Sequence, residues 1–284
     1  MNHNKQKKAA VISDITGFGR CAMTVALPVI SKLKVQCCPV PTAVFSNHTA
    51  FASYFRDDYT EKIQAYTDQW KKLGLTFEAI ETGYLSSREQ IGMVLQFLQE
   101  FRTPETIVVV DPIMGDHGKT YKTYTKEMCQ EMKQLVSQAD LITPNLTEAC
   151  ILTDTPYRES GWTAQALLAL AETLSRFGPE KVVITGIVQG DYIGNYCYER
   201  KAAGKDGEVT EGRLLRIRKA ATWRFGTGDI FAAILTADAV NGVELTASVK
   251  KASRFIRCCI QKTEEMDLPL TDGVCFEEVL DKLK

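Results

Sequence analysis

Short, continuous apolar runs rich in β-branched residues alternate along this chain with longer segments of helical periodicity. Residues 106–110 read TIVVV and residues 181–185 read KVVIT. A strand that is apolar at every position is buried on both faces, and such strands belong to mainly parallel sheets covered by helices on each side. Strands are predicted over 9–13, 35–44, 78–83, 106–110, 141–143 and 181–185. Helices are predicted over 23–33, 60–73, 88–101, 126–137, 145–152, 163–177, 227–241, 245–262 and 275–283. Pro39 and Pro41 make part of the second strand an edge or an irregular stretch. Residues 190–199 and 212–219 read as antiparallel strands around the polar loop 201–210, KAAGKDGEVT. The expected fold is α/β, with a mainly parallel central sheet and an antiparallel edge. No long linker or repeat divides the 284 residues, so one domain spanning 1–284 is expected.

Composition excludes several classes. The formal net charge is −1 and no basic stripe stands out, which argues against a nucleic-acid partner. Lys5, Lys7 and Lys8 read as a solvated N-terminal tail. No apolar run approaches the roughly 20 residues that cross a bilayer, and 9–12 is too short for a signal-peptide core. The nine cysteines are odd in number and contain no CxxC pair, so they read as reduced thiols of a cytoplasmic protein.

In open parallel sheets ligands bind beyond the carboxyl ends of the strands. That directs attention to Ser13, to 46–49, to 111–116, to 145–148 and to Thr185. A further segment, WRFGTGDIFAA at 223–233, places Gly226, Thr227 and Gly228 at a helix start. Unpaired N–H groups and the helix dipole favour an anion there, and glycine lets the backbone approach it closely. Asp229 would stand beside that anion as a base for an attacking hydroxyl, the pairing that phosphoryl transfer needs. Read alone, the segment is also a glycine turn with an acid in the first helical turn. Asp111 and Asp116 flank the turn DPIMGD, and carboxylates near phosphates suit Mg²⁺. Asn145 and Glu148 form a capping box on sequence spacing alone, at a position where ligands also bind. His48 reads as a hydrogen-bonding loop residue, since His3 and His117 show no ligand spacing to it. Thr49 and Ser13 could hold a polar ring, and Tyr84 could stack on one.

Taken in order, SNHT at 46–49, TGY at 82–84, DPIMGD at 111–116, ITPNLTEA at 142–149, VVIT at 182–185 and GTGDIFAA at 226–233 resemble the pyridoxal (pyridoxamine) kinase family of the ribokinase-like superfamily. The resemblance spans about residues 9 to 262. It implies a three-layer α/β/α fold and ATP-dependent phosphorylation of the 5'-hydroxyl of a vitamin B6 vitamer. Asp229 would be the base and Gly226, Thr227 and Gly228 the anion hole. Ser13, Phe45, Thr49, Tyr84 and Asp229 would contact the substrate. Asp111, Asp116, Asn145, Glu148, Thr185 and Gly186, with Thr227 and Gly228, would bind Mg·ATP, with Asp111 and Glu148 on the metal. It further implies Mg²⁺, a monovalent cation such as K⁺, and a homodimer, with no membrane or nucleic-acid partner.

Related hydroxymethylpyrimidine kinases usually carry cysteine where Asp229 stands. A pyrimidine kinase, or a non-catalytic ligand-binding protein on the same scaffold, are the alternatives. Two departures stand out. The loop 13–20 is one residue shorter than in the better-known members and has Asp14 where histidine is common, which bears on vitamer preference. Gly186 stands where serine is frequent, which touches only nucleotide contacts.

Overall fold

The computed structural model describes residues 3, 5–121, 124–200, 212–220 and 223–284. In chain order the elements are β1 (Lys8–Phe18), α1 (Met23–Lys32), β2 (Gln36–Asn47), β3 (Arg56–Asp58), α2 (Thr60–Leu73), β4 (Ala79–Thr82), α3 (Arg88–Phe101), β5 (Ile107–Val110), β6 (Gly115–Asp116), β7 (Lys119–Thr120) and α4 (Lys126–Val136). There follow β8 (Leu141–Ile142), α5 (Leu146–Thr153), α6 (Ala164–Arg176), β9 (Lys181–Gln189), β10 (Tyr192–Glu199), β11 (Arg213–Arg218), α7 (Thr227–Val240) and α8 (Leu245–Glu265), then two 3-10 turns, Leu270–Asp272 and Glu277–Lys282. The loop expected at 201–210 lies outside the described residues. The chain forms two compact units, 1–107 with 220–284, and 108–219.

In the first unit β1 pairs in parallel with both β2 and β4. β3 adds antiparallel to β2, but only along 43–45. Pro39 and Pro41 therefore sit on the part of β2 that β3 leaves uncovered, where a missing N–H costs no ladder bond. β1 and β2 shift register between Ser13 and Ile15, so that Ser13 faces Pro41 while Ile15 faces Val44. The extra residue lies on β2, and such bulges re-aim side chains beside functional sites.

Helix α7 is buried nearly all round, from Ile230 through Ala237. Its alanines let it pack closely on α1 and α8. α2 and α3 form a separate group over Trp70, Phe77, Phe97 and Phe101, whose rings meet edge-on, tilted or stacked. Helix starts follow local capping chemistry: Ser87 accepts from Gln90 N, and Gly74 ends α2 in the left-handed conformation.

In the second unit β5, β8 and β9 are parallel, and β9, β10 and β11 form an antiparallel run. Thr125 and Thr163 cap α4 and α6 with their hydroxyls. The fold is thus α/β and mainly parallel, with antiparallel pairing at its margins.

Several expectations need correction. Lys7 and Lys8 do not belong to a solvated tail. Lys8 opens β1 and is buried, its backbone N–H donating to Glu78 Oε2 at 2.6 Å, while Lys7 Nζ reaches the Val240 carbonyl at 2.9 Å. Residues 275–283 are not an α-helix but end in a short 3-10 turn without a side-chain cap. β3 and the β6–β7 hairpin were not anticipated, because strands of two or three residues carry no readable periodicity. All nine cysteines are free.

Candidate active site

In the first unit the turn before α7 fixes the geometry. Gly226 caps the helix in the left-handed region at φ 85°, and a side chain there would overlap the Arg20 carbonyl oxygen. Only glycine allows both the conformation and the approach. Thr227 Oγ1 donates back to the Arg224 carbonyl at 3.2 Å, which steadies the turn. A Cβ on Gly228 would meet nothing, so its backbone stands open. Asp229 follows in the first turn of α7 and accepts a hydrogen bond from the Ala22 N–H. Burial raises its pKa above the usual carboxylate range, and the Ala22 amide partly offsets that rise.

The residues expected on the substrate side divide. Ser13, Phe45 and Tyr84 come together: the Tyr84 N–H donates to Ser13 Oγ at 3.3 Å, and the Phe45 and Tyr84 rings lie 6.1 Å apart, edge to face. Ser13 and Phe45 are buried and Tyr84 is half-buried. Thr49 is exposed, in the turn after β2.

Two carboxylates beyond the candidate site residues read from the sequence lie here. Asp14, one residue beyond Ser13, is buried and accepts from Thr16 Oγ1 at 2.6 Å. Burial above all, with the charge of Asp229, pushes its pKa up to about 6. Glu81, inside β4, is also buried, and its pKa is pushed up to about 7 by burial and by Asp229. Its Oε2 reaches no hydrogen-bond partner among the described residues. Asp14 could have been found, since a charge following a buried strand is expensive to keep without a use. Glu81 gives no signal within its tetrapeptide strand AIET. Cys21 lies in the same surroundings, and burial followed by the charges of Asp229 and Asp14 keeps it a thiol.

In the second unit Asn145 is the hub. Its Oδ1 accepts from Glu148 N at 3.0 Å while Glu148 Oε2 accepts from Asn145 N at 2.8 Å, a complete capping box. Asn145 Nδ2 donates to the Gly115 carbonyl at 2.8 Å, and Glu148 Oε1 accepts from Met114 N at 3.1 Å. The box thereby grips the turn that carries Asp116, whose Oδ1 accepts from His117 N at 2.7 Å. A single parallel bridge joins Asn145 to Thr185, and Thr185 N donates to the Pro144 carbonyl at 2.9 Å. Gly186 follows, exposed, at φ 74° with open space where a Cβ would stand. Asp111 Oδ1 accepts from Thr143 Oγ1 at 3.1 Å. Burial, and then the neighbouring Asp111 charge, hold the Glu148 carboxyl well above the usual range.

This donor set fits a hydrated Mg²⁺. All its donors are oxygens, and the repulsion between Asp111 and Glu148 is what a divalent cation would relieve. Both Glu148 oxygens already accept backbone N–H groups, so Glu148 fits a role through water rather than direct ligation. Among the described residues no three His, Cys, Asp or Glu side chains converge as a metal cage.

The chain is similar to proteins of known family. A family model described as phosphomethylpyrimidine kinase matches residues 23–271. The pyridoxine/pyridoxal/pyridoxamine kinase of Bordetella avium is 30% identical over 252 residues, 84% of this chain and 79% of that one. A Bacteroides thetaiotaomicron structure with pyridoxal, provisionally assigned as a phosphomethylpyrimidine kinase, is 35% identical with a TM-score of 0.91 over 98% of this chain and 96% of that one. Pyridoxal kinase from Lactobacillus plantarum is 25% identical with a TM-score of 0.86, covering 98% of this chain and 96% of that one. The fold is therefore the ribokinase-like one, and the chain belongs to the family that the phosphomethylpyrimidine kinase model describes and, within it, to the pyridoxal kinases.

Proposed function

We propose that this chain, acting as one ribokinase-like kinase domain over 1–284, transfers the γ-phosphoryl group of ATP to the 5'-hydroxyl of a vitamin B6 vitamer. The observation that carries this reading is Asp229 in the first turn of α7, its proton affinity raised by burial, beside the open backbone of Gly228. Such an aspartate accepts the proton of the attacking hydroxyl as the new P–O bond forms and the bond to the β-phosphate oxygen breaks. The N–H groups of 226–228, at the positive end of the α7 dipole, stabilise charge on the moving phosphoryl group. Ser13, Phe45 and Tyr84 hold the pyridine ring, with Thr49 at its edge. Asp111, Asp116, Asn145, Glu148, Thr185 and Gly186 bind Mg·ATP, and Mg²⁺ when bound neutralises phosphate charge. A monovalent cation such as K⁺, a homodimer and a cytoplasmic setting complete the proposal. No helix among the described residues is long and apolar enough to cross a membrane.

The test is ADP release with ATP and Mg²⁺ against pyridoxal, pyridoxine, pyridoxamine and hydroxymethylpyrimidine. Turnover on a B6 vitamer is expected. Turnover confined to the pyrimidine would move the substrate and leave the chemistry standing; ATP binding without turnover on any of the four would sink the reading.

Gly226→Ala is expected to lower kcat by about 10- to 100-fold, because the added methyl must push the turn off the Arg20 carbonyl and an error near 1 Å at a reacting group costs that much. Steady-state kinetics on folded protein checks this. A kcat within twofold of the parent would show that the turn tolerates displacement.

A further inference from the structure

The proposed reaction gives no role to the ring of His48, which is packed beside the turn before α7. The imidazole is buried at 8% exposure. Its Nε2 lies 2.8 Å from the Thr271 carbonyl oxygen, and the Ala50 N–H lies 3.3 Å from its Nδ1. A carbonyl only accepts and an amide N–H only donates, so the partners select the neutral tautomer with the proton on Nε2. The ring is held between Phe51 and Phe225, with centroids at 4.8 and 4.3 Å. It also occupies the space a side chain at Gly19 would need.

Four chain segments therefore close on this one ring. The turn after β2 supplies His48 and Phe51. The loop after β1 supplies Gly19. The approach to α7 supplies Phe225, immediately before Gly226. The 3-10 turn Leu270–Asp272 supplies the Thr271 carbonyl. Further bonds join the same segments: Val274 N donates to the Phe225 carbonyl at 3.0 Å, and Arg20 Nη1 donates to the Asp272 carbonyl at 3.0 Å. Arg20 also pairs with Glu277 at 2.9 Å. Its own carbonyl oxygen lies against Gly226. Three of the four residues from Gly19 to Ala22 have positive φ, namely Gly19, Arg20 and Ala22. A loop in that conformation persists only where its surroundings hold it, and the Ala22 N–H at its end is the one that Asp229 accepts.

We infer that His48 is a positioning residue: it pins Phe225 and the loop 19–22 so that the turn 226–228 and the Asp229 carboxylate stand at the spacing phosphoryl transfer needs, without itself touching a reacting atom. The inference rests on the proposed kinase reaction for its catalytic consequence and on the packing alone for its structural one. Of these contacts the one with Phe225 acts immediately before the anion-binding turn, and the bond to Thr271 ties the ring to the same 3-10 turn that Arg20 Nη1 reaches through the Asp272 carbonyl. A change here is accordingly felt in turnover before it is felt in substrate affinity.

Two variants separate the contributions. His48→Phe keeps a ring between Phe51 and Phe225 and loses both hydrogen bonds. His48→Gln restores an N–H donor toward Thr271. His48→Phe is expected to lower kcat about 10- to 100-fold with KM for ATP and vitamer within about threefold. His48→Gln should recover kcat to within about fivefold of the parent. Hydrogen exchange is the readout that needs no turnover: peptides covering 223–230 should exchange faster in His48→Phe and return toward the parent rate in His48→Gln. Should His48→Phe fail to fold, Phe225→Leu loosens the same contact from the other side and is expected to show the same kcat loss. Unchanged kcat per folded enzyme in His48→Phe or Phe225→Leu, or unchanged exchange across 223–230, would overturn the inference. A parent protein that phosphorylates no vitamer would instead remove the kinase reading, and the exchange data would still decide whether His48 holds the turn.

Discussion

Asp229→Asn is expected to retain the fold and ATP binding while kcat falls by about three orders of magnitude, or about 4 kcal/mol in barrier. Asparagine fits the same space and can still accept from the Ala22 N–H, so the α7 start and the loop before α1 stay in place. What it cannot do is take a proton. A carboxylate raised by burial at this position is a stronger base than one in water, and its proton-accepting capacity is lost as a whole. The measurement is kcat and KM with the best vitamer, alongside an ATP-dependent thermal shift. A kcat within tenfold of the parent would remove Asp229 from the base role and leave the amides of 226–228 as the main source of rate. Loss of ATP binding together with turnover would point to a collapsed turn instead.

Glu81→Gln is expected to stabilise the protein at pH 8 by about 3 kcal/mol and to change it little at pH 5. Glu81 is 5% exposed, and its pKa in the fold is pushed from 4.5 up to about 7, first by burial and then by the Asp229 charge. The folded state therefore holds this proton more tightly than the unfolded chain. The stability contributed by protonated Glu81 is full below about pH 4.5 and is lost as pH rises through about 7. Glutamine does not titrate, so the advantage of the variant grows across that window and then levels off. Thermal melts of both proteins from pH 5 to 8 should show Tm curves that diverge by several degrees. Parallel curves would mean that Glu81 holds its proton no more tightly in the fold than in the unfolded chain. Asp14, pushed up to about 6, adds a penalty of the same sign at somewhat lower pH. Two buried acids that weaken the fold at neutral pH beside Asp229 are the kind of local cost that functional sites carry.

Much of this was legible in the residues. TIVVV and KVVIT announce buried parallel strands because a strand with no polar face has no solvent side. Helices α2 and α3 begin and end where their caps and periodicity place them. The capping box of Asn145 and Glu148 follows from a three-residue spacing, and the structure adds only that it also grips the 113–116 turn. The anion-binding reading of 226–228 was available from two glycines at a helix start.

Other features had no local signal. Lys8 looked like a tail residue because polarity near a terminus says nothing about whether the chain there joins a sheet. The gathering of Asp14, Glu81 and Asp229 comes from three elements, β1, β4 and α7, which lie far apart in sequence. Likewise His48, read as an ordinary loop histidine, reaches Thr271 across 223 positions.

The sequence by itself determined the α/β class, the boundaries of most helices and the turns at strand ends, because periodicity, capping and glycine conformation act within a few residues. Only the tertiary structure decided which carboxylates share an environment, how strongly burial shifts them, and which ring pins the turn before α7. Those properties depend on solvent exclusion and on contacts between distant segments, and neither exists until the chain has closed on itself.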